Sequence, residues 1–345
     1  MVVATDRFSD DLAMLLDQFG FRVDVIFPAD SPSTAIVSGH GVRLRLESSP
    51  TPRPVILHLL TDEPGGSVTL PGVSVIEPRP LSVPFVLPAN QPSLVISRNT
   101  GRSGVGRAGM RYRDLIPDRW GGRFIASHIT IPDGGPVPDY VHFHKVRFQL
   151  IFVKSGWVEV AYEDQGAPFV LQAGDCVIQP PEIRHRVLES SAGLEVIEIG
   201  CPAEHETIAD WSMTLPNGLG DPGREWDGQR MVRHVAEGAR YRPWRIDGWE
   251  YRDSGIGAAT DGLAGVRVAR PAGPTDDRWI AHDTEFSQLV VLVGETRFES
   301  DGGDIVRLAH GDSVAIPGRL RYRLSDATPD CELLDVTMPA VFDCS

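Results

Sequence analysis

The sequence predicts a mainly β protein with two copies of one β domain behind a small α+β N-terminal domain. Its 345 residues include 35 glycines and 28 prolines, which indicates many turns. Short segments with alternating apolar and polar residues, typical of strands, recur along the chain. From Tyr112 onward the sequence also repeats itself with a shift of about 138 residues. In this repeat Gly174-Asp corresponds to Gly311-Asp, and the segment 148–156 corresponds to the segment 286–294.

Residues 1–62 are predicted to form the α+β domain. Apolar residues at helical spacing between residues 9 and 20 predict a helix, with Ser9 as its cap. Three strands are expected after it, at residues 21–27, 34–38 and 42–47. This order resembles half of a vicinal-oxygen-chelate, or glyoxalase-like, βαβββ unit. The resemblance places Glu47 near a metal-binding carboxylate of that family, but no matching histidine precedes it, so a solvated strand end is the alternative.

Residues 63–110 are predicted to be a linker, because they are rich in proline, glycine and serine. Two short strands are expected within it, at residues 67–70 and 93–97. The glycine-rich piece 101–109 lacks the flanking strand and helix of a nucleotide-binding loop, so phosphate binding is not predicted there.

The most informative segment is His142-Phe-His144, which is followed about forty residues later by His185. Residues two apart on a strand face the same side, so both histidines can bind one ion while Phe143 faces away. Three neutral nitrogen ligands leave open positions and suit Fe(II), Mn(II), Ni(II), Cu(II) or Zn(II). The pattern therefore predicts a catalytic metal site, with hydrogen-bonded core histidines as the alternative.

The spacing of these residues resembles the two motifs of the cupin superfamily. The matching residues are Gly135, His142, His144, Gln149 and Gly156 in the first motif, and Gly174, Asp175, Pro180 and His185 in the second. The resemblance implies two tandem cupin (jelly-roll) barrels, at residues 111–215 with the metal site and at residues 216–345. Gln149 replaces the family's usual glutamate, so this neutral amide is expected either to bind the metal weakly or to lie beside a three-histidine site.

The second copy lacks most of these ligands. His282 aligns with His144, whereas Ile280, Ser287 and Tyr322 replace the other three candidates. One imidazole cannot hold a catalytic ion, so this barrel is expected to be a packing partner or a dimer interface. Substrate binding by His282 and Tyr322 remains open.

Candidates for catalytic roles beside the histidines are Gln149, Arg147 and Tyr140. If Gln149 faces inward, the alternation of a strand also turns Arg147 inward, where it would bind an anionic oxygen. The alternative places Arg147 in a turn that reaches solvent. Tyr140 shares the face of the histidine pair, and the arginines that flank the third histidine, Arg184 and Arg186, are expected to point outward.

Composition excludes several classes of protein. The formal charge of −14 disfavours nucleic acid and anionic membranes as partners. The four cysteines have no CxxC spacing, which indicates a reduced, cytoplasmic setting. No signal peptide or membrane-spanning segment is predicted, so a soluble protein is expected.

The motifs and the bicupin layout resemble three-histidine non-haem iron dioxygenases, such as those that cleave gentisate and salicylate. This resemblance implies an oxidoreductase that uses Fe(II) and O2, as a mono- or dioxygenase, on a hydroxylated aromatic, heteroaromatic or enolic small molecule. Two alternatives stay open: an isomerase, epimerase or lyase with the metal as Lewis acid, and a non-catalytic metal- or sugar-binding module. A homodimer or higher homo-oligomer is expected.

Overall fold

Short strands make up most of the regular secondary structure, as the alternating sequence patterns predict. The computed structural model describes residues 1–28, 31–53, 55–61, 68–69, 75–80, 85–101, 103–105, 110–274 and 278–345. The chain divides into two compact units, Met1–Phe85 and Val86–Ser345. No helix in the described part is long and apolar enough to cross a membrane.

The first unit has the order strand, helix and three strands. Its first elements are β1 (Val2–Thr5), α1 (Phe8–Asp17), β2 (Arg22–Phe27), β3 (Thr34–Gly39) and β4 (Val42–Ser48). The sheet order is β1-β4-β3-β2, and β1 runs parallel to β4. The helix begins at Phe8, with Arg7 and not Ser9 at the cap position. The predicted cap was wrong because Phe8, Leu12 and Leu15 form one buried face, which brings Ser9 inside the helix.

A second small sheet completes this unit. It contains β5 (Ile56–Thr61), β6 (Val68–Thr69) and β7 (Val75–Pro80), with β7 between the other two. Several residues of the predicted linker, at 63–67, 70–74, 81–84, 102 and 106–109, lie outside the described residues. The glyoxalase-like resemblance stays a prediction. Glu47 lies on β4, where its carboxylate accepts a hydrogen bond from the Arg45 side chain at 2.6 Å.

The second unit contains both copies of the repeat. Its first elements are β8 (Val95–Ser97), β9 (Gly104–Val105), β10 (Arg111–Asp114), α2 (Arg119–Gly122), β11 (Ile125–Ile131), β12 (Gly135–Pro136), β13 (His142–His144), β14 (Phe148–Ser155), β15 (Trp157–Tyr162), β16 (Phe169–Gln172), β17 (Cys176–Ile178), β18 (His185–Ser190), β19 (Leu194–Cys201) and β20 (Thr207–Ala209). The remaining elements are β21 (Glu225–Trp226), β22 (Gln229–Arg230), β23 (Val232–His234), β24 (Tyr241–Pro243), β25 (Trp249–Asp253), α3 (Ile256–Ala259), β26 (Gly265–Pro271), β27 (Phe286–Val293), β28 (Glu295–Ser300), β29 (Ile305–Ala309), β30 (Ser313–Ala315), β31 (Tyr322–Ser325) and β32 (Glu332–Met338).

Each copy forms a jelly-roll barrel of two sheets. In the first barrel the orders are β23-β17-β14-β19-β11-β10-β9 and β16-β15-β18-β13-β20. In the second barrel they are β24-β25-β26-β32-β27-β30-β8 and β29-β28-β31. The fold is therefore mainly β with tandem jelly-roll barrels, as predicted. Equivalent strands β14 and β27 carry the same irregularity near their ends, and each is followed by a glycine with positive φ, Gly156 and Gly294.

The two barrels exchange edge strands. β8 precedes the first barrel in sequence but pairs with β30 of the second, whereas β23 lies in the second half and pairs with β17 of the first. Buried aromatic residues fill the space between the barrels, and the rings of Phe124 and Phe286 lie 4.4 Å apart. The exchange and this shared core join the barrels into one compact unit.

Candidate metal centre

The three predicted histidines converge inside the first barrel. Strands β13 and β18 are neighbours, and His142 lies directly opposite His185 in their register. His144 is two residues further along β13, so it presents its imidazole to the same side. The three side chains are buried, and one nitrogen of each lies within 4.8 Å of the others. Phe143 faces away, under the guanidinium of Arg184.

Backbone carbonyl groups hold the three rings in one tautomer. The Nδ1 atoms of His142, His144 and His185 bond the carbonyl oxygens of Tyr140 at 2.7 Å, Glu206 at 3.2 Å and Ile183 at 3.0 Å. A carbonyl oxygen only accepts, so each Nδ1 carries the proton and each Nε2 keeps its lone pair. This is the form in which a neutral imidazole binds a metal ion through Nε2.

Gln149 lies in the same cavity, and a hydrogen bond to Glu198 determines the orientation of its side-chain amide. The Gln149 Nε2 donates to Oε1 of Glu198 at 2.6 Å. Because a carboxylate only accepts hydrogen bonds, the amide oxygen of Gln149 is directed elsewhere. That Oε1 is buried and has no hydrogen-bond partner among the described residues. A buried acceptor without a partner costs free energy, so its presence here fits a site built for a cation or a ligand donor.

The cavity around these groups has a volume of about 100 Å³, which suits a small molecule. It lies between the two sheets of the first barrel. The exposed surface of its wall is mainly apolar, and the aliphatic contributors include Ile129, Ile151, Val158, Val160, Leu194 and Val196. Such a wall excludes water and strengthens electrostatic interactions inside the cavity.

Tyr162 contributes a hydroxyl group to the cavity wall. Its ring stacks on His185 at a centroid distance of 5.6 Å, and its oxygen accepts a hydrogen bond from Nε2 of Gln179 at 2.8 Å. Burial raises the pKa of Tyr162 above its usual value, and the bond from Gln179 lowers it only in part. The hydroxyl therefore keeps its proton and can donate it in a hydrogen bond to a ligand.

The structure places Arg147 and Tyr140 differently from the prediction. Arg147 lies one residue before β14, where the strand alternation ends, and does not line the cavity. Its guanidinium donates to both carboxylate oxygens of Glu285 in the second barrel, at 2.9 and 3.0 Å. The side chain of Tyr140 is not among the residues that line the cavity, and its ring contacts Trp211 at a centroid distance of 5.2 Å. Tyr140 contacts His142 in two ways: its carbonyl oxygen accepts from Nδ1, and its ring lies edge-on to the imidazole at a centroid distance of 5.7 Å.

Of the two arginines beside His185, Arg184 lies on the side of Phe143, away from the cavity, as predicted, whereas Arg186 borders the cavity. Arg184 contacts Phe143 and bonds Asp210 at 3.2 Å. Arg186 lies opposite Ala161 in the register and is among the residues that line the cavity. The Nε of Arg186 is buried and has no hydrogen-bond partner among the described residues.

Sequence reasoning missed Glu198, Tyr162 and Gln179. For Glu198 a signal exists: an acidic residue interrupts an apolar strand at the equivalent position of both repeats. Glu198 lies opposite Ile151, and Asp335 lies opposite the equivalent Leu289. Nothing in the local sequence distinguishes Tyr162 or Gln179 from other barrel residues.

In the second barrel an arginine and an aspartate occupy the corresponding interior. Ile280 faces Tyr322 in the register that His142 and His185 have in the first barrel. Asp335 is fully buried and accepts hydrogen bonds from two nitrogens of Arg245, at 2.5 and 3.0 Å. Burial, with the Arg245 charge second, lowers the pKa of His282 to about 4. In the described part of the chain, the only cluster of metal-ligand type is the three-histidine group of the first barrel.

Comparison with known proteins agrees with this architecture. Residues 127–200 match the family model of the Cupin domain. No curated protein sequence matches the chain significantly.

Several solved structures have a similar fold at low sequence identity. A variant of salicylate 1,2-dioxygenase from Pseudoaminobacter salicylatoxidans is 14% identical, with a TM-score of 0.55, over 76% of this chain and 90% of that one. A variant of the oxalate decarboxylase OxdC of Bacillus subtilis is 12% identical, with a TM-score of 0.54, over 73% and 79%. The protein Ylba of E. coli is 10% identical, with a TM-score of 0.54, over 75% and 96%. These likenesses concern the fold. The chain therefore contains a cupin domain, which lies in the first of two tandem jelly-roll barrels.

Proposed function

We propose that the protein is a metal-dependent cupin oxygenase that uses Fe(II) and O2 to oxidise a small hydroxylated aromatic, heteroaromatic or enolic molecule. The observation that carries the proposal is the convergence of His142, His144 and His185, with each Nδ1 bonded to a carbonyl. Three neutral ligands leave positions on an ion for a substrate and for O2. The proposed cofactor is a divalent metal ion, and we propose Fe(II) as that ion.

The residues of the cavity fit such an ion. The three Nε2 lone pairs are its expected ligands, and the buried Oε1 of Gln149 is a further neutral acceptor in the same cavity. Bound Fe(II) would supply Lewis acidity and electrons for O2. The aliphatic wall keeps water out, and the Tyr162 hydroxyl is placed to donate a hydrogen bond to a substrate oxygen.

Structural likeness supports an enzyme but does not choose between two reaction classes. The similarity to a salicylate dioxygenase favours oxygen chemistry, whereas the similarity to an oxalate decarboxylase favours a lyase that uses the metal as a Lewis acid. The choice of an oxygenase rests on the neutral ligand set. The requirement for O2 separates the two classes.

The test is an oxygen-electrode screen of protein loaded anaerobically with Fe(II). We expect O2 uptake only when both Fe(II) and a chelating compound are present, because a three-histidine ferrous ion activates oxygen poorly until a substrate donates electron density. The compounds are catechols, hydroxybenzoates, hydroxypyridines and β-diketones, and the controls are metal-free protein and the His142→Ala variant. If no compound gives metal-dependent uptake while a sugar or keto acid is converted without oxygen, the Lewis-acid alternative is correct.

A further inference from the structure

The second barrel contains a cavity of its own, which the proposed metal site does not use. Its volume is about 470 Å³, compared with about 100 Å³ for the cavity of the first barrel. The wall is formed by residues of β24, β25 and β26 and by the segments 244–245 and 340–344. A volume of this size lies in the usual range of small-molecule pockets. The cavity is therefore large enough to hold a ligand.

Two guanidinium groups, those of Arg245 and Arg267, line this cavity. Only 11% and 13% of their side chains are exposed. Asp335, with which Arg245 pairs, is fully buried and does not line the cavity. Among the described residues the only carboxylate in the wall is that of Asp343, an exposed residue whose charge is screened by water and salt. A ligand in the cavity therefore contacts two largely buried cations.

Both guanidinium groups have N–H donors left for a ligand. An arginine carries five such donors. Arg245 uses two of them on the carboxylate of Asp335. Arg267 uses one on the hydroxyl of Thr337 at 3.3 Å and one on the carbonyl of Ala340. The planar arrangement of the remaining donors fits a carboxylate, which accepts two parallel hydrogen bonds from an arginine.

Aromatic side chains hold the two cations in place and supply an apolar surface beside them. The guanidinium of Arg245 lies 4.1 Å from the centroid of the Trp244 ring, and that of Arg267 lies 5.6 Å from the centroid of the Tyr251 ring. Phe342 adds a third ring to the wall. Because these contacts restrict the arginine side chains before a ligand arrives, they lower the entropy cost of binding. Rings beside cations suit an anion that is itself aromatic.

The repeat shows that Arg267 belongs to the second barrel alone. Arg267 lies opposite Asp335 on β26 and β32, in the register that Ser127 and Glu198 have in the first barrel. An arginine therefore occupies the position at which the first barrel has a small hydroxyl residue. This cation is independent of the three histidines.

We infer that the cavity of the second barrel binds a small aromatic carboxylate. The carboxylate group bonds the guanidinium groups of Arg245 and Arg267, and the ring packs against the aromatic side chains of the wall. The site needs no metal ion, so it does not depend on the proposed oxygenase activity.

The test is a titration of the protein with 4-fluorobenzoate, followed by fluorine NMR. The matched ligand is 4-fluorobenzamide, which has nearly the same shape and no charge. We expect the carboxylate to bind at least about tenfold more tightly, because the amide cannot form charge-assisted hydrogen bonds. The same preference is expected in the His142→Ala variant, which lacks a proposed metal ligand. Equal binding of the two compounds, or a preference that is lost in His142→Ala, would overturn the inference.

An arginine variant tests the residues of the site. Arg267→Met is expected to weaken the binding of 4-fluorobenzoate by about tenfold or more, as the loss of a charge-assisted hydrogen bond requires. Arg270→Met is the matched control, because Arg270 lies on the same strand, pairs with Glu250 at 2.7 Å and does not line the cavity. Thermal midpoints are measured first to show that both variants are folded. Unchanged affinity in Arg267→Met, or an equal loss in Arg270→Met, would contradict the assignment.

Modification of Cys344 locates the ligand without any variant. Cys344 lines the cavity, whereas Cys176, Cys201 and Cys331 are buried. Burial raises the pKa of the Cys344 thiol, so alkylation by N-ethylmaleimide is followed at mildly alkaline pH by mass spectrometry. We expect 4-fluorobenzoate to slow this alkylation in proportion to its occupancy, and 4-fluorobenzamide at the same concentration to have little effect. Alkylation that bound 4-fluorobenzoate leaves unchanged would place the anion elsewhere and overturn the inference.

Discussion

Replacement of His142 or His185 by alanine is expected to abolish tight metal binding. The two side chains lie opposite each other on neighbouring strands, and both have their Nδ1 bonded to a carbonyl so that only Nε2 is available. Removal of either leaves two neutral imidazoles, and we expect a loss of affinity greater than about 100-fold, since even the loss of an outer hydrogen-bond partner costs 10–100-fold. Metal content after dialysis, measured by mass spectrometry on folded variant protein, checks this result.

His282→Ala is the matched control for these variants. His282 is a buried histidine of the second barrel, and its Nδ1 is bonded to the hydroxyl of Thr284 at 2.9 Å. Because Ile280, Ser287 and Tyr322 replace the other ligands, the variant should keep the one ion per chain that we expect for the natural protein. Full occupancy in His142→Ala or His185→Ala, or two ions per chain in the unaltered protein, would show that the site is assigned wrongly.

Arg245→Met is expected to lower the free energy of unfolding by up to about 3–5 kcal/mol, because it removes the main partner of a fully buried carboxylate. Among the described residues, only the Trp244 indole N–H at 3.3 Å and the Arg267 guanidinium at 3.9 Å would then remain beside Asp335. The Asp335 side chain is 0% exposed and that of Arg245 is 11% exposed. Burial alone would lower the pKa of Arg245, but the charge of Asp335 raises it above its usual value, so the Arg245 guanidinium stays charged in the folded protein. Chemical denaturation followed by circular dichroism measures the loss.

Two further variants test whether this effect comes from the buried pair. Arg242→Met removes an exposed arginine that pairs with Asp253 at 2.7 Å, and surface pairs contribute no more than about 1 kcal/mol. The double variant Arg245→Met, Asp335→Leu removes both charges and should recover most of the stability, since well-packed apolar residues often replace a buried pair without loss. Equal effects of Arg245→Met and Arg242→Met would contradict the buried ion pair.

The spacing of residues along the chain was sufficient to predict the main features of the fold and the three histidines. His142 and His144 share a face because side chains alternate along a strand, and this holds in any fold that makes the segment a strand. The repeat similarly predicted a second barrel and the loss of its ligands at Ile280 and Tyr322. The first strand, Val2–Thr5, was missed because four residues are too few to show a clear alternation.

The remaining features depend on contacts between residues far apart in sequence. Glu198 reaches Gln149 across 49 residues, and Arg147 reaches Glu285 across 138. The register between strands decides these contacts, and a shift of one residue would turn each side chain to the opposite face. Strand exchange between the barrels likewise depends on the pairing of β23 with β17 and of β8 with β30, which are strands distant in sequence. Local sequence therefore determined which residues could bind a metal, whereas strand register alone decided which charges surround it.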